Sequence, residues 1–110
     1  ITKRIGQIGN EAGRLVQAML EFYNRYDAEK YGTDGGPLHD PCTIAYLLNP
    51  ALFVCKNVNV SVETDSPLTL GATVVDFWRV TNRPQNANWA YQVDVDGFFA
   101  LLIEQVSRLP

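Results

Sequence analysis

The chain has 110 residues, of which 46% are apolar and 19% charged, enough hydrophobic material for one modest core; it is one compact domain or a piece of a larger one. Its formal charge is −3, from 9 Lys and Arg against 12 Asp and Glu, and the basic residues are scattered, which argues against nucleic acid as a partner. The longest uncharged run, the fifteen residues from Pro41 to Cys55, is interrupted by Asn49 and Pro50, which excludes a membrane span.

The elements are predicted in chain order. Ile1 to Gly9 has Ile5 and Ile8 on one face and reads as a short helix or the tail of one. From Asn10 to Tyr31, Leu15, Val16, Met19, Leu20, Phe22, Tyr23 and Tyr26 recur at three- and four-residue spacing, an amphipathic helix with Asn10 as its N-cap and Glu11 well placed against the helix dipole. Gly32, Gly35, Gly36 and Pro37 then fix a loop that can approach a neighbour closely. Asp40 reads as the N-cap of the next helix with Pro41 at its first position, and Ile44, Ala45, Leu47 and Leu48 follow until Asn49-Pro50 ends it. Val58, Val60 and Val62 alternate with polar residues as a half-buried strand. Thr64 to Leu68 is turn material and Thr69 to Trp78 a second strand, which makes a hairpin. Asn82 to Asn88 is loop, Trp89 to Val95 a third strand, and Asp96 caps a closing helix through Phe98, Phe99, Leu101, Leu102 and Val106. The piece is thus α+β.

Cys42 and Cys55 stand in a chain without a signal-peptide pattern, so a disulfide framework is not indicated and the cytoplasm is the expected compartment. Asn59-Val60-Ser61 matches the glycosylation sequon but falls in a strand and carries no weight. The chain starts at Ile1 and its first methionine is Met19, so sequence is expected to precede it.

The one histidine, His39, lies in Gly35-Gly36-Pro37-Leu38-His39-Asp40-Pro41, where a glycine-rich loop meets a helix start. Two readings stand side by side. In one, Asp40 is a helix cap and His39 a loop residue; in the other, His39 is an acid of tunable pKa and Asp40 a hard oxygen ligand for a metal.

The string Pro37-Leu38-His39-Asp40-Pro41-Cys42-Thr43-Ile44-Ala45-Tyr46-Leu47-Leu48, then Pro50, Leu52-Phe53, Val62-Glu63-Thr64 and Gly71-Ala72-Thr73-Val74-Val75-Asp76, resembles the C-terminal part of the inosine-uridine-preferring nucleoside hydrolases. The likeness runs from the Phe22-Tyr23 helix to Asp94-Val95-Asp96 and Phe98, and is greatest to the bacterial pyrimidine-preferring branch. It implies an α/β fold, a mixed sheet flanked by helices, of which this chain is the C-terminal part of a single domain. The implied reaction is hydrolysis of the N-glycosidic bond of a ribonucleoside to free base and ribose around a bound calcium ion. The resemblance gives His39 the role of protonating the leaving base and Asp40 that of calcium ligand. It also directs attention to the helix before the histidine loop, where Tyr31 and Asp27, nearest the loop, and then Tyr26 are the candidates for approaching the base. Phe22, Tyr23 and Tyr26 equally read as the buried stripe of that helix, the preferred reading for Tyr23. Trp78 and Trp89, on strands, read as core or interface packing.

The chain departs from the family in one respect: the N-terminal aspartate cluster that supplies the remaining calcium ligands and the water-activating base has no counterpart here. Asp94-Val95-Asp96 suits a strand end followed by a helix cap better than a metal site. The expectation is that the 110 residues alone do not hydrolyse nucleosides and that apolar surface is left for the missing N-terminal part or for further copies of the chain. The rival from another class is a non-catalytic binding or assembly remnant of the same fold. A different metal-dependent hydrolase built on His39 and Asp40 needs more ligands than two adjacent residues provide.

Overall fold

The computed structural model describes residues 1–33 and 35–110. Its elements are α1 (Thr2–Gly6), α2 (Glu11–Tyr31), α3 (Asp40–Leu48), a short 3-10 turn at Pro50–Leu52, β1 (Phe53–Val62), β2 (Thr73–Asp76), β3 (Ala87–Val93) and α4 (Val95–Ser107). The chain divides into two compact units, one of residues 1–52 and 94–110 carrying the helices, the other of residues 53–93 carrying the strands. No helix among the described residues is long and apolar enough to cross a membrane.

In the helical unit Asn10 does more than cap. Its Oδ1 accepts the Gly13 N–H at 2.8 Å, satisfying one of the donors that a helix start leaves without a partner. Its Nδ2 donates to the carbonyls of Val106 at 2.8 Å and Leu109 at 2.7 Å, and the Ala12 N–H donates to the Pro110 carbonyl at 3.1 Å. The start of α2 is thereby tied to the end of α4. Gly13 is buried because α1 crosses here: a Cβ on it would lie 2.9 Å from the Ile5 carbonyl oxygen and 2.8 Å from the capping oxygen. Ile5, Ala45, Phe98 and Val106 are the buried apolar residues of this unit.

The two other predicted caps need correction. Asp96 does not cap α4; Asp94 does, its Oδ1 accepting the Gly97 N–H at 3.1 Å while its own N–H donates to the Leu52 carbonyl at 2.8 Å. An extended backbone at Asp94 is what allows the reach, and Asp96 falls in the first helical turn, where its charge suits the dipole. Asp40 likewise is the first residue of α3, not its cap. His39 occupies the cap position with a helical backbone, and no side-chain hydrogen bond closes that end.

The strand unit is an antiparallel three-stranded sheet in the order β2-β1-β3. Asn59 to Val62 of β1 face Asp76 to Thr73 of β2, and Phe53 to Val58 face Val93 to Ala87 of β3 with an irregularity between Val54 and Cys55. Val58 is fully buried. The predicted strand from Thr69 to Trp78 shrinks to four residues for two local reasons. At its start, Gly71 takes φ +84° and the Ala72 N–H closes a turn on the Thr69 carbonyl at 2.9 Å. At its end, the Asp76 carboxylate accepts the Val80 N–H at 2.7 Å, the Thr81 N–H at 2.9 Å and the Thr81 hydroxyl at 2.6 Å, with Arg79 held at φ +56° between them. β3 starts two residues earlier than predicted and is extended by Asn86, whose side-chain amide accepts the Val60 N–H at 2.8 Å and donates to the Val60 carbonyl at 2.9 Å, as a paired backbone would. The sequon asparagine is engaged in the sheet: Asn59 is buried and its Nδ2 donates to the Pro84 carbonyl at 2.7 Å.

The amphipathic stripe of α2 is not buried as the period predicts. Val16 and Leu20 are half-buried, whereas Leu15, Met19, Phe22, Tyr23 and Tyr26 are exposed. α1 packs along α2 from Gly13 past Gln17 to Asn24, the end of α4 meets the start of α2, and among the described residues the stripe residues named as exposed are left uncovered by these contacts. Trp78, 80% exposed, is not a core residue either, and Trp89 lies at the edge of exposure.

Two outcomes follow for measurement. Asn10→Asp keeps the capping oxygen but loses both donations and sets a carboxylate against two carbonyls, so denaturant unfolding is expected to show a loss of about 1–3 kcal/mol, where a cap-only role gives close to none. For Asp76, the Thr81 hydroxyl first, then the Thr81 and Val80 amides, hold the carboxyl below its ordinary value. A depressed carboxyl stabilises the turn above the unfolded value of about 3.9 and loses that contribution as pH falls through the folded value. Carboxyl NMR titration should therefore place the Asp76 midpoint below about 3.9, and a midpoint at or above it would sink the assignment.

Candidate functional site

The candidate site lies in the helical unit, where the last turns of α2, the glycine loop and the start of α3 come together. α2 ends because Gly32 adopts φ +68° and its N–H closes on the Ala28 carbonyl at 3.0 Å, a left-handed cap that glycine takes without strain. The chain then returns along the helix it has just left. The Gly36 N–H donates to Asn24 Oδ1 at 3.0 Å, and a Cβ on Gly36 would lie 2.1 Å from Asp27 Oδ2. A side chain at this position would have to displace that carboxylate.

Three residues further on, His39 and Asp40 open α3, both exposed. The first turn is stitched by the backbone and by hydroxyl and thiol groups: the Cys42 N–H donates to the His39 carbonyl at 3.1 Å, the Thr43 hydroxyl to the Asp40 carbonyl at 2.8 Å and the Cys42 thiol to the Leu38 carbonyl at 3.2 Å. The helix start therefore holds its shape without a capping hydrogen bond from the His39 side chain. Cys42 and Cys55 are free thiols.

Of the α2 residues proposed from the sequence, Asp27 is half-buried and faces the loop, as its distance to Gly36 requires. Tyr31, one turn on, follows on the same ridge of the helix and is exposed. Tyr26 is on the neighbouring ridge, where its hydroxyl accepts a hydrogen bond from Lys30 Nζ at 2.9 Å. That ammonium lies 5.3 Å from the Tyr26 ring centre and 5.0 Å from the Tyr31 ring centre, and the two phenols hold it in its charged form by raising its pKa. Sequence reasoning missed Asn24 and Lys30. Asn24 is four residues from Leu20 on the inner face and reads there as a polar interruption of the stripe, the one sequence signal available for it.

The metal test is a matter of donor count. Calcium takes six to eight oxygens, and among the described residues no three His, Cys, Asp or Glu side chains come together in a way that could hold a metal ion. Asp40 offers a single carboxylate, so these residues do not make a calcium site by themselves. Asp94 and Asp96 add nothing to it, since Asp94 is spent on α4. Calorimetric titration of the 110-residue chain with calcium should accordingly show no saturable binding in the micromolar range, and a stoichiometric isotherm would overturn this count.

With the geometry in place, comparison with known proteins is informative. Residues 1–100 match the model of the inosine-uridine preferring nucleoside hydrolase family. The chain is 47% identical over 107 residues to an uncharacterized protein of Schizosaccharomyces pombe, covering 97% of this chain and 34% of that one. It is 46% identical to the pyrimidine-specific ribonucleoside hydrolase RihA of Shewanella sp. (strain MR-7), covering 96% of this chain and 33% of the relative. Among solved structures, a purine-preferring ribonucleoside hydrolase from Gardnerella vaginalis superposes with a TM-score of 0.76 at 28% identity, over 97% of this chain and 34% of that one. A plant nucleoside hydrolase superposes with a TM-score of 0.80 at 25% identity, over 98% of this chain and 36% of that one. The chain thus spans about a third of the length of the curated relatives it matches. On the match of residues 1–100 and the helix-and-antiparallel-sheet arrangement shared with those structures, this chain belongs to the inosine-uridine preferring nucleoside hydrolase family.

Proposed function

We propose that this chain is the C-terminal part of a single-domain nucleoside hydrolase that cleaves the N-glycosidic bond of ribonucleosides, with pyrimidine nucleosides such as uridine or cytidine preferred over inosine. The observation that carries the reading is the exposed His39-Asp40 pair at the start of α3, held by a helix turn that takes no capping hydrogen bond from the His39 side chain. The preference is supported by the 46% identity to a relative named as pyrimidine-specific.

In the reaction, water adds at the anomeric carbon, the C–N bond breaks, and its electron pair leaves with the base, which takes up a proton. A base anion is a poor leaving group, so a donor at the departing nitrogen heterocycle lowers the barrier. His39 is that donor in this reading, the one histidine of the chain and exposed at the start of α3. Asp27 and Tyr31, on the ridge of α2 facing the loop, offer a hydrogen-bonding carboxylate and an aromatic face to the base, with Tyr26 beside them. Asp40 is the carboxylate that the described residues offer toward calcium in this reading, the other ligands and the group that activates water coming from elsewhere in the parent enzyme. The isolated chain is for that reason expected to be inactive.

Exposed Phe22, Leu47 and Trp78 support association, with the rest of the fold or with further copies of the chain. The reading places the parent enzyme in the cytoplasm, in keeping with two free cysteines. A non-catalytic remnant is the alternative, and the same assay separates the two. In the full-length protein, uridine turnover should be measurable and His39→Ala should lower kcat by about 10²- to 10⁴-fold with a smaller change in KM. Full turnover by His39→Ala removes the acid from this reading, and a full-length wild type without turnover leaves the remnant.

A further inference from the structure

We propose that Asn24 is the positioning residue of the histidine loop: its side-chain carbonyl holds the Gly36 amide against α2 and so sets where His39 stands. The proposal rests on the reading of His39 as the acid that protonates the departing base. Among the described residues from Thr33 to His39, the Gly36 N–H is the one that donates to a protein acceptor, and that acceptor is Asn24 Oδ1 at 3.0 Å. The contact is built from both sides. Asn24 is half-buried, and its Nδ2 faces the Thr2 hydroxyl at 3.5 Å, an arrangement that turns the carbonyl toward the loop. The loop in turn approaches at two successive glycines: Gly35, at φ +100°, would place a Cβ 3.7 Å from Asn24 Oδ1, and Gly36 would place one against Asp27.

The consequence is mechanical. Pro37 fixes φ one residue beyond the clamp, and α3 is regular from Asp40, so only a short tether separates the Gly36 amide from the imidazole. Releasing the amide lets the loop leave α2, and an acid misplaced by about 1 Å can cost on the order of 10²-fold in rate. Asn24 touches no reacting atom in this account; it acts through His39.

Leaving-group chemistry supplies a test that a merely structural role would not pass. A riboside whose leaving group is nitrophenolate departs without protonation, so its cleavage does not need the acid. In the full-length protein, Asn24→Ala is expected to lower kcat for uridine on the order of 10²-fold, with KM changing far less, while cleavage of the nitrophenyl riboside is unchanged. Asn24→Asp keeps an acceptor for the Gly36 N–H and should retain uridine turnover. Asn24→Gln, which moves the acceptor outward by one methylene, should repeat the selective loss and serves if the alanine variant does not fold. His39→Ala separates the two ideas. If it shows the selective loss and the Asn24→Ala and Asn24→Gln variants lose both substrates equally, or neither, the positioning role is overturned. If His39→Ala itself is not selective, the acid reading fails and takes the proposal with it.

Discussion

The helical unit depends on one side chain placed where two helix ends meet. At the start of α2 several N–H groups lack partners, and at the end of α4 several carbonyls do. Asn10 serves both, its oxygen accepting from Gly13 and its nitrogen donating to Val106 and Leu109. An amide is the one small side chain that can do so, since a carboxylate lacks the donors and a hydroxyl lacks the reach. All three bonds require the same amide orientation, so the node ties the start of α2 to the end of α4 in one way. The far end of α2, which carries Asn24, Asp27 and Tyr31, is braced in turn by α1, whose Thr2 hydroxyl faces Asn24.

The candidate site is open to solvent: His39, Asp40 and Tyr31 are exposed and Asp27 is half-buried beside the glycine loop. The same openness shows in the packing. A chain with 46% apolar residues buries only Ile5, Ala45, Val58, Phe98 and Val106 as its apolar core among the described residues. An apolar groove of about 320 Å³ between α3 and α4, lined by Ile44, Ala45, Leu48, Phe98, Leu101 and Leu102, has no cover here. Exposure of this order is uncommon on a surface meant for water. It fits a chain that spans a third of the length of its relatives.

Much of the site was legible because its signals are local. A glycine-rich run, a histidine and an Asp-Pro at a helix start can be read in order, and the structure puts them in a loop and a first helical turn. What could not be read was how the loop is held. The Asn24 to Gly36 bond joins residues twelve apart, and no periodicity within α2 marks that asparagine as a partner of anything. Competition between nearby candidates was also decided outside the sequence. Asp94 and Asp96 are equally good caps by type; Asp94 wins because its N–H is fixed to the Leu52 carbonyl, a contact 42 residues away.

The sequence by itself determined the helices and the cap of α2, because period, cap residues and proline or glycine stops act within a few residues of one another. It also determined that the strands form a hairpin followed by a third strand. β2 stops for a local reason, the Asp76 carboxylate turning back onto Val80 and Thr81. Tertiary structure alone decided where β3 begins, because Asn86 imitates a backbone pair on Val60, twenty-six residues away. It decided as well that the aromatic stripe of α2 faces outward, since a hydrophobic period states which residues share a face but not whether anything is there to cover it.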